Sequence, residues 1–157
     1  MGGLSLVPEQ ALDLAISFEG FARVVQRSPV VLARPYRCPA GHWTIGYGHL
    51  CRPDHPPIDE AQGQIYLEAD MGDAVAQTLR VCPILTHESP QRLAAVADWT
   101  FNLGSGRLRA STMRRRINEA DWREAANEMR RWVWGGGRKL PGLVLRREAE
   151  AALLLSV

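Results

Sequence analysis

The sequence predicts an α+β fold in which helices dominate and a small antiparallel sheet forms a separate part of the molecule. Segments with apolar residues at helical spacing occupy most of the 157 residues. Residues 21–50 instead place glycines between aromatic and β-branched residues, which is typical of short strands and tight turns. The predicted order is therefore one helix, the sheet, and then several helices, within a single domain.

Composition and charge exclude several classes of protein. Hydrophobic residues make up 46% of the chain, which is enough for a packed core. The net charge of +2 is too small to indicate a nucleic-acid partner. No apolar run reaches the roughly 18 residues of a membrane span. We therefore expect no stable membrane insertion and no nucleic-acid partner. We also expect a monomer.

The N-terminus and the cysteines indicate where the chain is made. Residues 1–17 lack the basic start and the apolar block of a signal peptide. Cys38, Cys51 and Cys82 are an odd number of cysteines without a metal-ligand spacing. Both features predict synthesis in a reducing compartment.

The first helix is expected from Ser5 to Glu19. Pro8 lies near its start and Gly20 lies just past its end, and both positions favour helix boundaries. The face with helical spacing consists of Leu12, Ala15, Ile16 and Glu19. The apolar stripe therefore ends in a carboxylate.

Cap residues predict where the next four helices begin, and those residues are Asp59, Ser89, Ser111 and Asp121. On the first of these helices, the inward stripe is expected to contain Ala61, Ile65, Ala69, Gly72, Val75, Ala76 and Leu79.

Glycines and prolines predict where the later elements end. The helix after Asp59 should stop before Pro83, and the helix after Asp121 should run through Trp134. Asn102 to Arg107 is expected to be a glycine loop. The last helix is expected from Leu143 to Leu155.

Glu19 is the first candidate for chemistry. A carboxyl group at the apolar end of a helix loses solvation, which favours its protonated form. A glycosidase needs such a protonated acid as its proton donor. The competing interpretation is a glutamate that is exposed to water or paired with an arginine. Position alone does not decide between them.

Residues 36–50, YRCPAGHWTIGYGHL, predict a tight hairpin that carries reactive side chains. Cys38 could act as a nucleophile or general base in its thiolate form, although most free cysteines are small buried hydrophobes. The hydroxyl of Thr44 could hold a water molecule, although threonine is also an ordinary strand residue.

A zinc site is the alternative use of this region. Cys38, His42, His49, Cys51 and His55 could be ligands in a zinc amidase that cuts cell-wall peptides. Their spacing matches no standard ligand pattern, so we expect no metal and no other cofactor.

Four motifs occur in a fixed order along the chain. WTIGYGH at 43–49 follows Glu-Gly at 19–20, and five residues separate Cys38 from Thr44. The other three are ADWTFNLGSG at 97–106, STMRRRINEADWREAANEMRRW at 111–132 and GGGRKLPGLVLRREAEAALL at 135–154. Together they resemble the phage-type lysozymes, glycoside hydrolase family 24.

The resemblance implies a mostly helical, lysozyme-like fold with two lobes and a substrate cleft between them. The sheet lobe would cover about residues 21–58 and the helical lobe the rest of one catalytic domain, 1–157. The implied substrate is peptidoglycan, cut at the β-1,4 bond between N-acetylmuramic acid and N-acetylglucosamine to lyse a host cell. The implied route is that of an endolysin made in the host cytoplasm, which reaches the wall through a holin.

The resemblance also implies roles for individual residues. Glu19 would protonate the leaving glycosidic oxygen. Cys38 stands where most members have aspartate, and Cys38 and Thr44 would position or activate water. A neutral thiol would stabilise positive charge poorly, so Cys38 is expected to act as thiolate or nucleophile. Leu50 and Phe101 match positions that border the sugar cleft.

Five further residues have less specific expectations. His49 is expected to be structural. Either Arg146 or Arg147 could hold Glu19, or Arg146 could form an i, i+4 pair with Glu150 on a helix surface. Of Trp132 and Trp134, one is expected in the core and the other on a sugar, and the sequence does not assign them.

An insertion distinguishes this chain from the family pattern. Eighteen residues separate Glu19 from Cys38, about ten more than the pattern has. Residues 24–35 have two apolar runs joined at Ser28-Pro29, which predicts an added hairpin that extends the small sheet. Its arginines would lie at the cleft mouth and attract peptide carboxylates, whereas a passive surface loop is the alternative.

Two further classes remain as alternatives to an enzyme. A non-catalytic cell-wall-binding domain would keep the aromatic residues but lose the acid, and the presence of Glu19 and Thr44 argues against it. A basic DNA-binding module would concentrate arginines on one face, and it would give WTIGYGH no role.

Overall fold

The computed structural model describes residues 6–157 and contains helices and short strands in the predicted order. The helices are α1 (Glu9–Glu19), α2 (Glu60–Val81), α3 (Pro90–Leu103), α4 (Ser105–Ala110), α5 (Thr112–Asn118), α6 (Trp122–Arg130) and α7 (Pro141–Leu154). A 3-10 turn at Pro83–His87 lies between α2 and α3. The predicted mostly helical α+β class is confirmed.

The strands form three small antiparallel sheets rather than one. They are β1 (Val24–Gln26), β2 (Leu32–Ala33), β3 (Tyr36–Arg37), β4 (Trp43–Ile45), β5 (His49–Leu50), β6 (Ile58–Asp59), β7 (Trp134–Gly135) and β8 (Arg138–Lys139). The sheet orders are β1-β2-β6, β3-β4-β5 and β7-β8. The predicted hairpin of residues 24–35 is therefore present, but it does not extend the sheet of residues 36–50. Its second strand pairs with β6 instead.

The first helix begins later than predicted. Leu6 and Val7 form bends, and α1 starts at Glu9, directly after Pro8. The predicted start at Ser5 lies outside the described residues. Proline favours the first position of a helix because it has no N–H to leave unpaired, so Pro8 marks the beginning of this helix.

The predicted caps are confirmed by hydrogen bonds. The Asp59 carboxylate accepts from the N–H of Gln62 at 2.8 Å. The three other caps accept at 3.1–3.3 Å from backbone N–H groups three residues on, and they are Ser89, Ser111 and Asp121. Because these bonds are local, the sequence alone predicts them.

Two predicted boundaries after the third helix are wrong. Residues 102–107 are not a loop, because α3 continues to Leu103 and α4 begins at Ser105. Gly104, with φ +92°, is the single break. Similarly, α6 ends at Arg130, and Trp134 belongs to β7. The backbone of Trp134 and Gly135 pairs with β8 across the glycine turn, so its hydrogen bonds are made between strands and not within a helix.

The predicted inward face of α2 is also wrong. Ile65 is 58% exposed, and Ala61, Ala69 and Ala76 are exposed as well. Val75 is buried as predicted, whereas the other buried apolar residues of this helix are Leu67, Met71, Ala74 and Val81. The long helix has apolar residues on more than one face, so their periodicity did not identify the packed face.

The chain forms two compact units. The sheet unit is Ala15–Asp70, and the helical unit consists of Met71–Val157 together with the segment that ends at Leu14. The boundaries fall within α1 and α2. The two-lobe division that the resemblance implies, at about residues 21–58, stays a prediction.

The helical unit has a large apolar core. Its fully buried side chains include Trp99, Leu108, Met113, Ile117, Met129 and Leu154. Trp132 packs against this core, edge-on to Trp99 with ring centroids 5.3 Å apart. Trp134 is 65% exposed. The structure therefore identifies Trp132 as the core tryptophan of the pair.

Four charged side chains are buried together in the helical unit. Arg146 donates two hydrogen bonds to the carboxylate of Asp98, at 2.8 and 2.9 Å. Arg147 donates to Glu150 at 2.8 Å and to the side-chain oxygen of Asn102 at 2.8 Å. We call Asp98, Arg146, Arg147 and Glu150 the buried charge cluster.

Burial opposes the charged form of two members of this cluster. It raises the pKa of Glu150 well above its usual value, and the contact with Asp98 adds to the rise while the arginines oppose it. Burial also lowers the pKa of Arg147, and the charge of Glu150 opposes that change. The arginines offset part of the cost of burying the two carboxyl groups, and the carboxyl groups offset part of the cost of burying the arginines.

The sheet unit packs around a glycine turn. The rings of Phe21 and Tyr47 are 5.5 Å apart. A Cβ atom on Gly63 would stand 2.9 Å from the Phe21 ring, and one on Gly46 would stand 3.1 Å from Cδ1 of Ile58. The close approach of these rings and backbones fixes the position of the turn between β4 and β5.

Among residues 6–157, no helix combines the length and the apolar character that crossing a membrane requires.

Candidate active site

Glu19 is the last residue of α1 and is half-buried. The helix ends there because Gly20 adopts φ +67°, a conformation that favours glycine. The Glu19 carboxyl group lies against Gly48. A Cβ atom built on Gly48 would stand only 3.2 Å from Oε2 and 3.5 Å from Cδ of Glu19. The absence of a side chain at residue 48 therefore gives this carboxyl group its space.

Cys38 lies at the tight turn of the β3–β4 hairpin. Its N–H donates to the carbonyl of His42 at 2.9 Å, and its own carbonyl accepts from the N–H of Gly41 at 2.8 Å. The thiol is half-buried and free. The backbone of this residue is thus held on both sides while its side chain keeps some access to solvent.

Thr44 lies in β4, the central strand of its sheet, and is 4% exposed. Its hydroxyl donates to the carbonyl of Tyr36 on β3 at 3.3 Å. A hydroxyl that donates to the neighbouring strand can still accept a hydrogen bond from water. This bond links the Thr44 side chain to the neighbouring strand.

The strand register places several candidates on one face of the β3-β4-β5 sheet. Thr44 pairs with Tyr36 on one side and with Leu50 on the other. Directly opposite residues of antiparallel strands share a face, and so do residues two positions apart. Cys38 lies two positions after Tyr36, just past the end of β3, where its N–H donates to the carbonyl of His42.

The sheet unit brings together four of the five predicted site residues. Glu19 contacts the turn that follows β4, and the sheet containing β4 carries Cys38, Thr44 and Leu50. Leu50 is 66% exposed, as a residue that meets a ligand can be. Phe101 belongs to the helical unit, where it is half-buried on α3. The roles of all five residues stay predictions.

His49 has the structural contacts expected of it. Its Nδ1 lies 2.8 Å from a carboxylate oxygen of Asp70, and its ring stacks on Tyr66 with centroids 4.2 Å apart. His55 in turn lies 3.1 Å from the Tyr66 hydroxyl. Sequence reasoning missed Asp70 and Tyr66, because a bond that joins residues 21 positions apart leaves no local signal.

Burial affects other titratable groups, of which Tyr47 and Cys51 belong to the sheet unit and Cys82 to the helical unit. It raises the pKa of Tyr47, and the charge of Glu60 adds to the rise while a hydrogen bond with Gln64 opposes it. Burial likewise raises the pKa of the Cys51 thiol, and it raises that of Cys82 to about 11. Both thiols are therefore poor nucleophiles at neutral pH.

The two arginines near the end of the chain are both buried. The ion pair between Arg146 and Glu150 exists at 3.8 Å, but it lies in the core and not on a helix surface as expected. Charge pairing with Asp98 keeps Arg146 inside. The expectation that Arg146 or Arg147 holds Glu19 stays a prediction.

The zinc alternative receives no support from the described part of the chain. Within residues 6–157, no three histidine, cysteine or acidic side chains gather closely enough to hold a metal ion. His49 and His55, two of the proposed ligands, are instead engaged by Asp70 and Tyr66.

The inserted hairpin exposes both charge and apolar surface. Arg27 and Arg34 are exposed, and Val25 and Val30 are about half exposed. Ala33, by contrast, is fully buried and pairs with Ile58. The insertion is therefore built into the sheet unit at its base, where Arg34 also lies, while Arg27 is near the tip.

Comparison with known proteins identifies a phage lysozyme family model and phage endolysins as similar to this chain. The family model described as phage lysozyme matches residues 26–150. A SAR-endolysin of Bacteriophage PS119 is 30% identical over 128 residues, which are 78% of this chain and 73% of that protein.

Solved structures of similar proteins share the fold. The endolysin from Escherichia coli O157:H7 phage FAHEc1 has a TM-score of 0.74 and 27% identity, covering 100% of this chain and 98% of its own. The muramidase domain of SpmX from Asticaccaulis excentricus has a TM-score of 0.77 and 25% identity, covering 95% and 97%.

Proposed function

Because the chain belongs to the phage lysozyme family and is a peptidoglycan-hydrolysing muramidase, we propose that Glu19, Cys38 and Thr44 form its catalytic group. The proposed bond is the β-1,4 linkage between N-acetylmuramic acid and N-acetylglucosamine. The observation that carries the proposal is the contact of the Glu19 carboxyl group with the turn that follows the strand of Thr44.

In this mechanism Glu19 is the general acid. Its proton goes to the leaving glycosidic oxygen as the bond to the sugar breaks. Water then adds to the sugar, either directly or after a covalent intermediate. Because the Glu19 carboxyl group lies against Gly48, the proton donor stands beside the turn that follows the strand of Thr44 before substrate arrives.

Cys38 and Thr44 act on the opposite face of the sugar. The Thr44 hydroxyl, oriented by its bond to Tyr36, accepts a hydrogen bond from the attacking water. Cys38 works as a thiolate, which either takes a proton from that water or attacks the sugar itself. Leu50 shares the sheet face of Thr44 and is proposed to contact the sugar, as is Phe101 from the helical unit.

Glu19→Gln tests the general acid. We expect the variant to fold normally and to lose lysis of chloroform-treated Gram-negative cells by about 10²–10⁴-fold, the usual effect of removing a general acid. Glu9→Gln is the matched control, since Glu9 is exposed at the other end of the same helix. A folded Glu19→Gln protein with near-normal activity would remove Glu19 from the mechanism.

Substitution and alkylation test Cys38. We expect Cys38→Ser to be strongly impaired and Cys38→Asp to keep substantial activity, since aspartate can supply the same negative charge. Thiol alkylation should inactivate the wild type and spare the aspartate variant, which still carries Cys51 and Cys82. If Cys38→Ser lyses cells as fast as wild type, another group positions the water.

The hydroxyl of Thr44 has a test of its own. Thr44→Val keeps the shape and removes the hydroxyl, whereas Thr44→Ser keeps the hydroxyl. We expect valine to lower the catalytic rate and serine to preserve most of it. Equal rates for the two variants would contradict the water-positioning role.

The two remaining classes of function are separated by simpler assays. A zinc amidase loses activity with a chelator, and a wall-binding module binds peptidoglycan without releasing reducing sugars. We expect release of reducing sugars that a chelator does not change, from a protein that runs as a monomer in gel filtration.

The route to the wall that the resemblance implies is passage from the host cytoplasm through a holin, whereas the relatives named SAR-endolysins favour release from a membrane without a holin. Expression in a bacterial host, with and without a holin, tests this part separately. Lysis only in the presence of the holin supports the route, and lysis without it contradicts the route while leaving the muramidase assignment intact.

A further inference from the structure

A run of arginines in the helical unit has no role in the reaction. Residues 104–118 contain five arginines and no acidic residue. Arg116 is paired with Glu119 at 3.5 Å and lies 3.9 Å from Asp121. In the described part of the chain, no salt bridge joins a carboxylate to the other four, which are Arg107, Arg109, Arg114 and Arg115. All four are exposed.

Three of these arginines surround a hollow of about 370 Å³ at the junction of α4 and α5. Arg114 is held there, because its Nη1 donates to the carbonyl of Arg109 at 3.2 Å. Ser111 and Asn118 add polar groups to the wall. Glu119 lies on the rim, where its pairing with Arg116 offsets its charge. The hollow therefore presents converging N–H donors and a net positive charge.

A second hollow, of about 600 Å³, adjoins the first and shares Ser111 with it. Its lining includes Arg107, Leu103 and the exposed Trp134. The two adjoining hollows therefore combine arginines that have no carboxylate partner in the described part of the chain with a large exposed aromatic ring. We call Arg107, Arg109, Arg114, Arg115 and Trp134 the arginine face.

We propose that the arginine face binds a membrane surface of anionic phospholipids through their phosphate groups. Guanidinium groups match phosphate oxygens with two parallel hydrogen bonds, and in the described part of the chain these four arginines have no carboxylate partner to give up. Tryptophan favours the interface between water and lipid, where its ring meets apolar chains and its N–H meets water. The hollow, of about 370 Å³, would receive one headgroup, while the flanking arginines meet its neighbours.

A nucleic acid is the other phosphate-bearing partner to consider. The net charge of the chain is only +2, and the sheet unit alone contains five arginines against six acidic residues. Nucleic-acid binding domains ordinarily carry a larger positive balance. The local cluster with its adjoining tryptophan therefore favours a lipid surface.

Vesicle sedimentation tests the proposal on the full chain. Wild type should bind vesicles made of equal parts phosphatidylglycerol and phosphatidylcholine and should not bind pure phosphatidylcholine. The triple variant Arg109→Gln, Arg114→Gln and Arg115→Gln should partition about 100-fold more weakly, given the usual contribution of each basic residue near an anionic membrane. Trp134→Ala should weaken partitioning several-fold.

A matched triple variant separates this face from net charge. Arg27→Gln, Arg34→Gln and Arg37→Gln remove the same charge from three exposed positions of the sheet unit. We expect this control to keep partitioning within about threefold, since charges away from the contact are screened by salt. Hydrolysis of purified, membrane-free peptidoglycan should be unchanged in the Arg109/Arg114/Arg115 variant, which shows that it is folded.

Three outcomes would overturn the proposal. Wild type could show no preference for anionic vesicles, or the control triple variant could lose binding as strongly as the test variant. Alternatively, a single-stranded oligonucleotide could bind the arginine face more tightly than the vesicles, which would identify a nucleic-acid site instead. A normal vesicle preference with the expected loss in the test variant alone supports a membrane-binding surface.

Discussion

The two units of this protein are held together by different kinds of structure. The helical unit buries large side chains around Trp99 and includes a buried charge cluster. The sheet unit has strands of only two or three residues, and glycine turns with positive φ connect the strands of its β3-β4-β5 sheet. The proposed catalytic group lies in the sheet unit.

The difference shows how stability and chemistry are divided within one chain. The helical unit derives its stability from burial, so its sensitive positions are those that leave a cavity or an unpaired charge. The sheet unit depends on backbone geometry, so its sensitive positions are glycines that bring a turn close to a reactive group. Four changes test this contrast, and they are described from the largest expected effect to the smallest.

Asp98→Asn should be the most damaging to stability. It leaves the buried guanidinium of Arg146 without the carboxylate that accepts two of its hydrogen bonds. Breaking a buried pair in this way typically lowers the free energy of unfolding by about 3–5 kcal/mol. Urea denaturation measures the change.

Glu88→Gln is the control for that prediction. Glu88 pairs with Arg92 at 2.6 Å, but both side chains are partly exposed. Removing a partly exposed pair typically changes stability by about 1 kcal/mol or less. Similar losses for the two variants would mean that burial does not distinguish the cluster from a surface pair.

Gly48→Ala should affect activity more than stability. Gly48 has φ +81°, and an added Cβ would press on the Glu19 carboxyl group at 3.2 Å. A displaced acid lowers the catalytic rate, and we expect a loss of about 10–100-fold with little change in KM. Lysis kinetics and a thermal melt measure the two effects.

Gly137→Ala provides the matched comparison in the helical unit. Gly137 has φ +79°, and a Cβ there would meet nothing within 4 Å. The backbone strain should therefore be similar, at about 1–2 kcal/mol, while activity stays normal. If Gly137→Ala lowers activity as much as Gly48→Ala, backbone strain and not the contact with Glu19 explains the loss.

Ala120→Gly should stabilise the helical unit by about 1 kcal/mol, because Ala120 adopts φ +57°, where a Cβ is unfavourable. The residue is exposed, so no packing is lost. Ala152→Gly, at an exposed position inside α7, should instead destabilise by a similar amount. A lower melting temperature for Ala120→Gly would contradict the strain argument.

The arginines of the inserted hairpin should have the smallest effect. Replacing both Arg27 and Arg34 by Gln keeps the strands and removes two exposed charges. If these charges attract peptide carboxylates, KM should rise about threefold at low salt and the salt dependence should flatten. Arg80→Gln with Arg123→Gln is the control, and identical kinetics for the two double variants would leave the hairpin a passive element.

Local chemistry explains what could be predicted from the sequence. Asp59, Ser89, Ser111 and Asp121 cap helices because each side chain bonds to an N–H three residues on. The hairpin of residues 24–35 likewise follows from two apolar runs and a turn. The four ordered motifs indicated the family, which the family match then confirmed.

Glycine boundaries and packed faces were harder to predict. Gly104 is a single residue between α3 and α4, where a longer loop was expected. Trp134 lies beyond the end of α6 and pairs with β8 across a turn. Ile65 was expected inside and lies outside. In each case several local conformations are acceptable, and the tertiary contacts select one of them.

The sequence by itself determined the fold class, the starts of the four capped helices, the family and the identity of the candidate acid, because these depend on residue type and on neighbours a few positions apart. Only the tertiary structure decided that Gly48 meets the Glu19 carboxyl group, that His49 meets Asp70, and that Arg146 and Arg147 lie in the core. Those contacts join residues 21 to 48 positions apart. Their free energy comes from burial and charge pairing that exist only once the chain has folded.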